Sequence, residues 1–378
     1  MKVVIAIDSL KGSLSSVEAG NAIRDGIIKV MDADVVVKPL ADGGEGTVEA
    51  LVTGMNGIYQ MVEVTAPLTG KVNCQYGILE ESKTAIIEMS GAAGITLVSR
   101  DERNPMETTT YGVGEVINHA IDQGCRNFII GIGGSATNDG GSGMLQALGF
   151  DLLDQNGNQV ALGGKGLNQI VAIKTDRVRE ELKECTFKIA CDVNNPLCGE
   201  NGASHVYGPQ KGATEEMVKE LDAALGHFAE VVADTFGIDN KEVPGTGAAG
   251  GMGFAFLSFL HGELTPGIQI ILHEIRLEEE IKDADIVITG EGMLDFQTAM
   301  GKAPIGVAKL AKKYGKKVLA FAGGTTEEAV ECNRQGIDAY FSIVNKCMDL
   351  DEAMKPEVAA RNLTNTTEQV FHLINTFN

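Results

Sequence analysis

DIVITGEGMLDFQTAMGKAPIGVAKLAKKYGKKVLAFAGGTTEEAVECNRQGIDAYFSIV, residues 285–344, decides the fold. The apolar runs DIVIT at 285–289, KVLAFA at 317–322 and residues 338–344 predict strands, and helical periodicity fills 302–314 and 325–335. Strands alternating with helices in this way build a parallel sheet covered by helices. The N-terminus reads in the same style. VVIAI at 3–7 is a strand, and SSVE at 15–18 is a capping box in which Ser15 caps and Glu18 reaches back. Val17, Ala22, Ile23, Ile27 and Val30 then form one apolar helix face, followed by a strand at 34–38 and a short helix at 47–55. Five parallel strands result. The expected class is α/β, a flavodoxin-like doubly wound parallel sheet in the order 2-1-3-4-5.

The middle of the chain reads differently. Short strands at 60–66, 72–79 and 84–89, separated by PLTG and ESK turns, predict antiparallel pairing. Helices near 111–123, 140–148 and 214–235 and strands at 127–132 and 186–191 follow. This is a second, mixed α/β domain inserted into the first. The expected division is 1–59 with 276–378 for the flavodoxin-like domain and 60–275 for the insert.

Composition narrows the functions. The net charge is −21, which disfavours nucleic acid and anionic membranes as partners. Seven scattered cysteines without a CxxC fit reduced thiols in a cytoplasmic protein, with Cys191 a packing residue. Six histidines show no zinc spacing. The apolar N-terminal run stops at Asp8, unlike a signal peptide, and the apolar stretch at 252–260 is too short to span a bilayer. The N-x-T sequons at Asn362 and Asn365 are read as chance. Small-molecule substrates are therefore expected, and a homo-oligomer stays open.

Glycine is abundant, at 47 residues, and clustered after strands. DSLKGSLS at 8–15, PLADGGEGT at 39–47, GGSATNDGG at 133–141 and TGEGMLD at 289–295 each pair glycine with carboxylates or a lysine. Such turns bring backbone close to a ligand, carboxylates hold a cation and lysines hold an anion, so the combination suggests phosphoryl chemistry. In an open parallel sheet the ligand lies beyond the carboxyl ends of the strands at the switch point, here between the first and third strands. That places Asp8 and Lys11 near Glu291 and Asp295. Asp8, Asp295 and Glu291 are the candidate Mg²⁺ ligands, since that ion takes oxygen ligands and keeps waters. Asp42 is either a catalytic carboxylate or an Asx-turn residue, and Glu45 beside it reads as a turn residue. Lys11 stands before a helix N-terminus and suits an anion.

Gly133, Gly134, Ser135 and Thr137 are candidates to cradle phosphates, and of Asn138 and Asp139 one is expected to cap the following helix. ACDVNNPLCG at 190–199 supplies Asp192, Asn194 and Asn195, and YGPQKGA at 207–213 supplies Lys211. Lys302 is a further anion candidate. There is no GxxxxGK[ST], so a P-loop is excluded, and GTGAAG at 245–250 follows Glu-Val-Pro rather than a strand.

Seven motifs in order, DSLKGSLS, PLADGGEGT, GGSATNDGG, ACDVNNPL, YGPQKGA, GAAGGMG and TGEGMLDFQT, resemble those of the bacterial glycerate kinase family, of the type named for glyoxylate and glucarate catabolism. The resemblance covers essentially the whole length; Leu10 stands where the family usually has Phe, a packing change. It implies ATP- and Mg²⁺-dependent phosphorylation of D-glycerate, with 2-phosphoglycerate favoured over 3-phosphoglycerate, and an active site between two α/β domains. In that setting Asp42 or Asp192 would orient the hydroxyl as base, and Lys11 and Lys211 would hold the carboxylate or the phosphoryl group. Ser9 and Asn194 would line the substrate, and the turns holding Gly133 to Thr137 and Gly250 with Gly251 would line the nucleotide. The rival readings are a nicotinamide-dependent dehydrogenase of a small hydroxy acid, a non-catalytic ligand sensor, and a kinase for another small sugar acid.

Overall fold

A computed structural model describes every residue except Glu45, Thr69 and Asn378. The reading of Glu45 as a turn residue, and the Thr69 position of the PLTG turn, therefore lie outside the described residues. The chain divides into two compact units: Met1–Asp42, Glu49–Met55 and Ile268–Asn378 form one, and Gly43–Val48 with Asn56–Gly267 form the other.

In the first unit the strands Asp34–Val37, Lys2–Ile5, Ile286–Leu294, Lys317–Thr325 and Ala339–Ser342 lie side by side in that order, all parallel. This is the 2-1-3-4-5 order expected. The helix Ser16–Ile28 begins with the capping box, Ser15 and Glu18 bonding reciprocally as the sequence predicts. Its apolar face buries Ile23 and Ile27 against Val3, Ile5, Ile288 and Phe321.

Three features depart from expectation. The third strand runs to Leu294 and the fourth to Thr325, so GEGML is strand rather than turn. Met293 and Leu294 keep their pairing with Gly324 and Thr325. Gly290 permits this close ladder: its φ is +154°, and a Cβ there would sit 1.9 Å from the Phe321 carbonyl oxygen. The fourth strand runs to Thr325, and the expected helix at 325–335 does not form as one piece. The segment forms a 3₁₀ turn, Glu327–Val330, and a single helical turn, Glu331–Arg334. Finally, the expectation held no element after 344, yet Pro356–Asn375 is a helix lying along Ser16–Ile28. Gly26 makes the approach possible, since a Cβ there would meet the Thr364 carbonyl at 2.6 Å. Asn362 of the first sequon is 3% exposed on this helix, in keeping with a chance match.

The second unit holds a six-stranded mixed sheet, ordered Glu263–Thr265, Thr186–Ala190, Asn127–Gly131, Thr84–Glu88, Lys71–Leu79 and Ile58–Thr65. The first four run parallel and the last two antiparallel, as the PLTG and ESK turns imply. Asp151–Leu153 and Ala172–Lys174 form a separate antiparallel pair. Glu88, Gly131, Ala190 and Thr265 stand in register, so four loops leave one sheet edge together. The long helix Glu215–Phe236 is capped by Thr214 and ended by Gly237 in the left-handed conformation. Cys191 is buried in the core of this unit, and all seven cysteines are unpaired. No helix among the described residues is long and apolar enough to cross a membrane.

Candidate active site

The carboxyl edge of the first unit's sheet collects the groups that topology was expected to collect. After the first strand, the Asp8 amide donates to the Gly290 carbonyl at 2.9 Å, which carries Asp8 up to the third strand. Ser16 is buried at the start of its helix. Its hydroxyl donates to the Ile7 carbonyl and accepts from the Leu40 amide, both at 2.7 Å. One serine thus clamps the two chain segments from which Asp8 and Asp42 follow. Lys11 Nζ donates to Asp42 Oδ2 at 3.3 Å. Ser9 is half-buried and its amide donates to Asp8 Oδ1 at 2.7 Å.

The electrostatics are those of crowded carboxylates in a dry place. Asp8 is 2% exposed. Burial, then the neighbouring Asp42 charge, push its carboxyl up to about 7, against the Ser9 amide and Lys11. Burial also lifts Glu291, which is opposed by a hydrogen bond from Thr298 and by the charge of Lys302. Burial alone would lower Lys11, yet Asp42, Asp8 and Glu291 together carry it above the ordinary lysine value. Asp8, Lys11, Asp42 and Glu291 therefore sense one another.

Asp295, expected as a metal ligand, caps the helical turn Phe296–Ala299. Its Oδ1 accepts from the Thr298 amide at 2.9 Å. Among the described residues no group of three or more His, Cys, Asp or Glu is placed to hold a metal ion.

In the second unit, Gly133 and Gly134 are exposed beyond the strand Asn127–Gly131, and Ser135 is buried. Thr137, Asn138 and Asp139 are fully buried. Asp139 accepts from Thr110 amide and hydroxyl, both at 2.8 Å, and from the Gly141 and Gly143 amides at 3.1 and 3.3 Å. It is the member of the Asn138–Asp139 pair that secures the helix start. Asn138 donates to Ser204 at 2.9 Å, while its Oδ1 and the Thr137 hydroxyl are buried without a partner among the described residues.

Gly250 and Gly251, expected at the nucleotide, are buried against the 137–140 backbone. A Cβ at Gly250 would come within 2.1 Å of the Thr137 carbonyl, and the Gly250 carbonyl accepts from the Gly140 amide at 2.9 Å. Their glycine character serves that contact. Asp192 and Asn194 are exposed, and Asp192 Oδ1 accepts from the Gly267 amide at 3.0 Å. Glu88 Oε1 accepts from the Val48 amide at 2.9 Å, anchoring the Gly43–Val48 segment to this sheet.

Lys211 is the second lysine expected at the substrate. It is 2% exposed, and its ammonium donates to the Thr137 carbonyl at 2.6 Å, bracing the glycine-rich loop from beneath. Burial pulls it down to about 7, with Asp139 opposing. An unfolded lysine keeps its proton to about 10.4. From about pH 7 upward the unfolded chain therefore binds a proton the folded chain has released, and stability rises with pH. Urea midpoints should climb by the equivalent of roughly 2 kcal/mol between about pH 7 and 9, and Lys211→Met should flatten the climb. Equal climbs in both proteins would show that burial does not strain this ammonium.

Comparison with known proteins follows the same lines. The glycerate kinase family model matches residues 3–375. A glycerate 2-kinase of Escherichia coli K12 is 50% identical over 94% of this chain and 93% of its own. A glycerate kinase of Haemophilus influenzae is 49% identical over 99% of both chains. One from Bacillus subtilis is 46% identical over 98% and 97%. A crystal structure of a protein assigned as glycerate kinase 2 from Salmonella typhimurium LT2 superposes with a TM-score of 0.92 at 46% identity, covering 100% of this chain and 98% of that one.

Proposed function

The chain belongs to the glycerate kinase family, and on that premise we propose that it transfers the γ-phosphoryl group of ATP to O2 of D-glycerate, with Mg²⁺, to give 2-phosphoglycerate. Kinase activity is what its relatives carry over the whole chain, which displaces the hydroxy-acid dehydrogenase and the sensor. The name of the Escherichia coli relative supports O2 over O3. The product would carry organic-acid carbon into glycolysis, in the cytoplasm.

The observation that supports this reading most is the buried Asp8 beside the Lys11–Asp42 pair at the switch point of the sheet. Phosphoryl transfer needs little covalent chemistry from the protein; it needs positioning and charge stabilisation. Asp42 would accept the hydroxyl proton as the alcohol attacks in line, with exposed Asp192 the second candidate. Lys11, more than half exposed, would take the glycerate carboxylate or the equatorial phosphoryl oxygens. Ser9 holds Asp8 in place, and Asn194 is a candidate for the substrate hydroxyls. The amides of the exposed residues Gly133 and Gly134, with Ser135, would bind phosphate oxygens.

The all-oxygen donors Asp8 and Glu291 fit Mg²⁺. Two carboxylates that burial holds in excess of their compensating charge favour a hard cation, which completes its shell with water and phosphate. When bound, the ion neutralises charge on the phosphates. Lys302, close enough to lower Glu291, adds cationic charge on the same edge.

The test is incubation with Mg-ATP and D-glycerate, followed by enolase without phosphoglycerate mutase. Phosphoenolpyruvate is the expected product. ADP without phosphoenolpyruvate would move the transfer to O3. No glycerate-dependent ADP would overturn the proposal, and recovery with another small sugar acid would reassign the acceptor.

A further inference from the structure

Thr298 was not among the expected site residues, yet it is fully buried beside one of them. Its hydroxyl lies 2.6 Å from Glu291 Oε1, 3.2 Å from Asp295 Oδ1 and 3.3 Å from the Met293 carbonyl. It also accepts from the Asp295 amide at 3.2 Å. A hydroxyl has one proton to give. The short contact assigns that proton to Glu291, within the range of about 2.5–2.7 Å typical of a hydroxyl bonding a carboxylate.

The helix cap needs only the Thr298 amide bond to Asp295 Oδ1, at 2.9 Å, and the Asp295 amide bond to the Thr298 hydroxyl oxygen, at 3.2 Å. The bond to Glu291 is additional to it. Thr298 is held for this purpose from two sides. Its own amide is fixed to Asp295 Oδ1 at 2.9 Å, and a β-branched side chain is stiff at χ1. No hydrogen bond among the described residues reaches Glu291 Oε2, so one carboxylate oxygen is pinned and the other is left for a ligand to bind.

We propose that Thr298 is a positioning residue for phosphoryl transfer: its hydroxyl pins Oε1 of Glu291 and so aims Oε2 at the reacting groups. This rests on the reading of Glu291 as part of the kinase site.

The test compares Thr298→Val, which removes the hydroxyl at nearly constant shape, with Thr298→Ser, which keeps it. Glu291→Gln and the double variant Thr298→Val/Glu291→Gln complete the cycle. The assay is glycerate-dependent ADP release. Thr298→Val should lose roughly 10- to 100-fold in kcat, the usual cost of a group that orients a ligating or catalytic residue. Its KM for glycerate should stay within about threefold, and Thr298→Ser should recover most of the turnover. The double variant should be no slower than Glu291→Gln alone, because the hydroxyl then has nothing to aim.

Wild-type kcat in Thr298→Val overturns the inference while leaving Glu291 in the site. Losses that multiply in the double variant, or equal loss in the valine and serine variants, also overturn it, because the hydroxyl then serves only the cap. If the valine variant does not fold, Thr298→Ala carries the same expectations, and failure of both to fold counts against the proposal. Full turnover in Glu291→Gln overturns the underlying reading instead.

Discussion

Asp8→Asn is expected to lose about a thousandfold or more in turnover, the scale of a lost charge in a preorganised site, and to be more stable than the parent at neutral pH. The stability half follows from burial. Asp8 is 2% exposed, and its carboxyl is pushed from 3.8 up to about 7. Between those values the folded protein holds a proton that the unfolded chain has released. Raising the pH through that window therefore costs stability, at about 1.4 kcal/mol per unit of displacement. Above about pH 7 the cost is complete. Asparagine keeps the shape and still accepts from the Ser9 amide, but it does not titrate. Metal-free urea melts at about pH 4 and pH 8 should show the two proteins similar at the lower pH and the variant ahead by a few kcal/mol at the higher. A variant that is less stable at both, or that retains turnover, would make Asp8 a structural residue.

On the proposed reading, a carboxylate that burial destabilises bears that cost for function. The same cannot be said of Asp139. It is equally buried, but four hydrogen bonds from Thr110, Gly141 and Gly143 answer its oxygens. Its role is to hold a loop and a helix start. The two aspartates look alike in sequence, each beside a glycine-rich turn after a strand. Only their hydrogen bonds separate them.

That contrast marks what the sequence could and could not tell. Period-two and helical patterns reveal which segments are strands and helices, and the parallel order then brings Asp8, Lys11, Asp42 and Glu291 to one edge without any coordinates. The direction of a side chain within a loop follows no such period. Lys211 sits in a motif that reads as a ligand loop, yet its ammonium turns inward to the Thr137 carbonyl. Gly250 and Gly251 read as a phosphate turn, yet the Thr137–Gly140 backbone occupies the space a Cβ would need. Thr298 was legible: Asp295 and Thr298 have the spacing of a cap and its N3 partner, but that pattern does not announce the bond to Glu291. The C-terminal helix was legible too, in Pro356 at its first turn and in Val358, Ala359, Leu363, Val370 and Phe371 on one face.

Asp42→Asn should separate the remaining ambiguity between chemistry and turn geometry. Its carboxylate pairs with Lys11 at 3.3 Å, but the side chains are 26% and 57% exposed. A pair so open to water contributes roughly 0–1 kcal/mol to stability, so the variant should melt close to the parent. An Asx turn would survive as well, because asparagine forms one as readily as aspartate. Turnover is the quantity that distinguishes the readings. If Asp42 accepts the hydroxyl proton, the amide has no basic oxygen to receive it, and kcat should fall by roughly 10²- to 10⁴-fold. Asp192→Asn is the necessary companion, because Asp192 is the other carboxylate proposed for the role and already accepts from the Gly267 amide. A large loss in the first variant and a small one in the second would assign the base to Asp42. The reverse would move it to Asp192, and two active variants would leave proton removal to solvent, with Lys11 and the bound cation carrying the acceleration through charge alone.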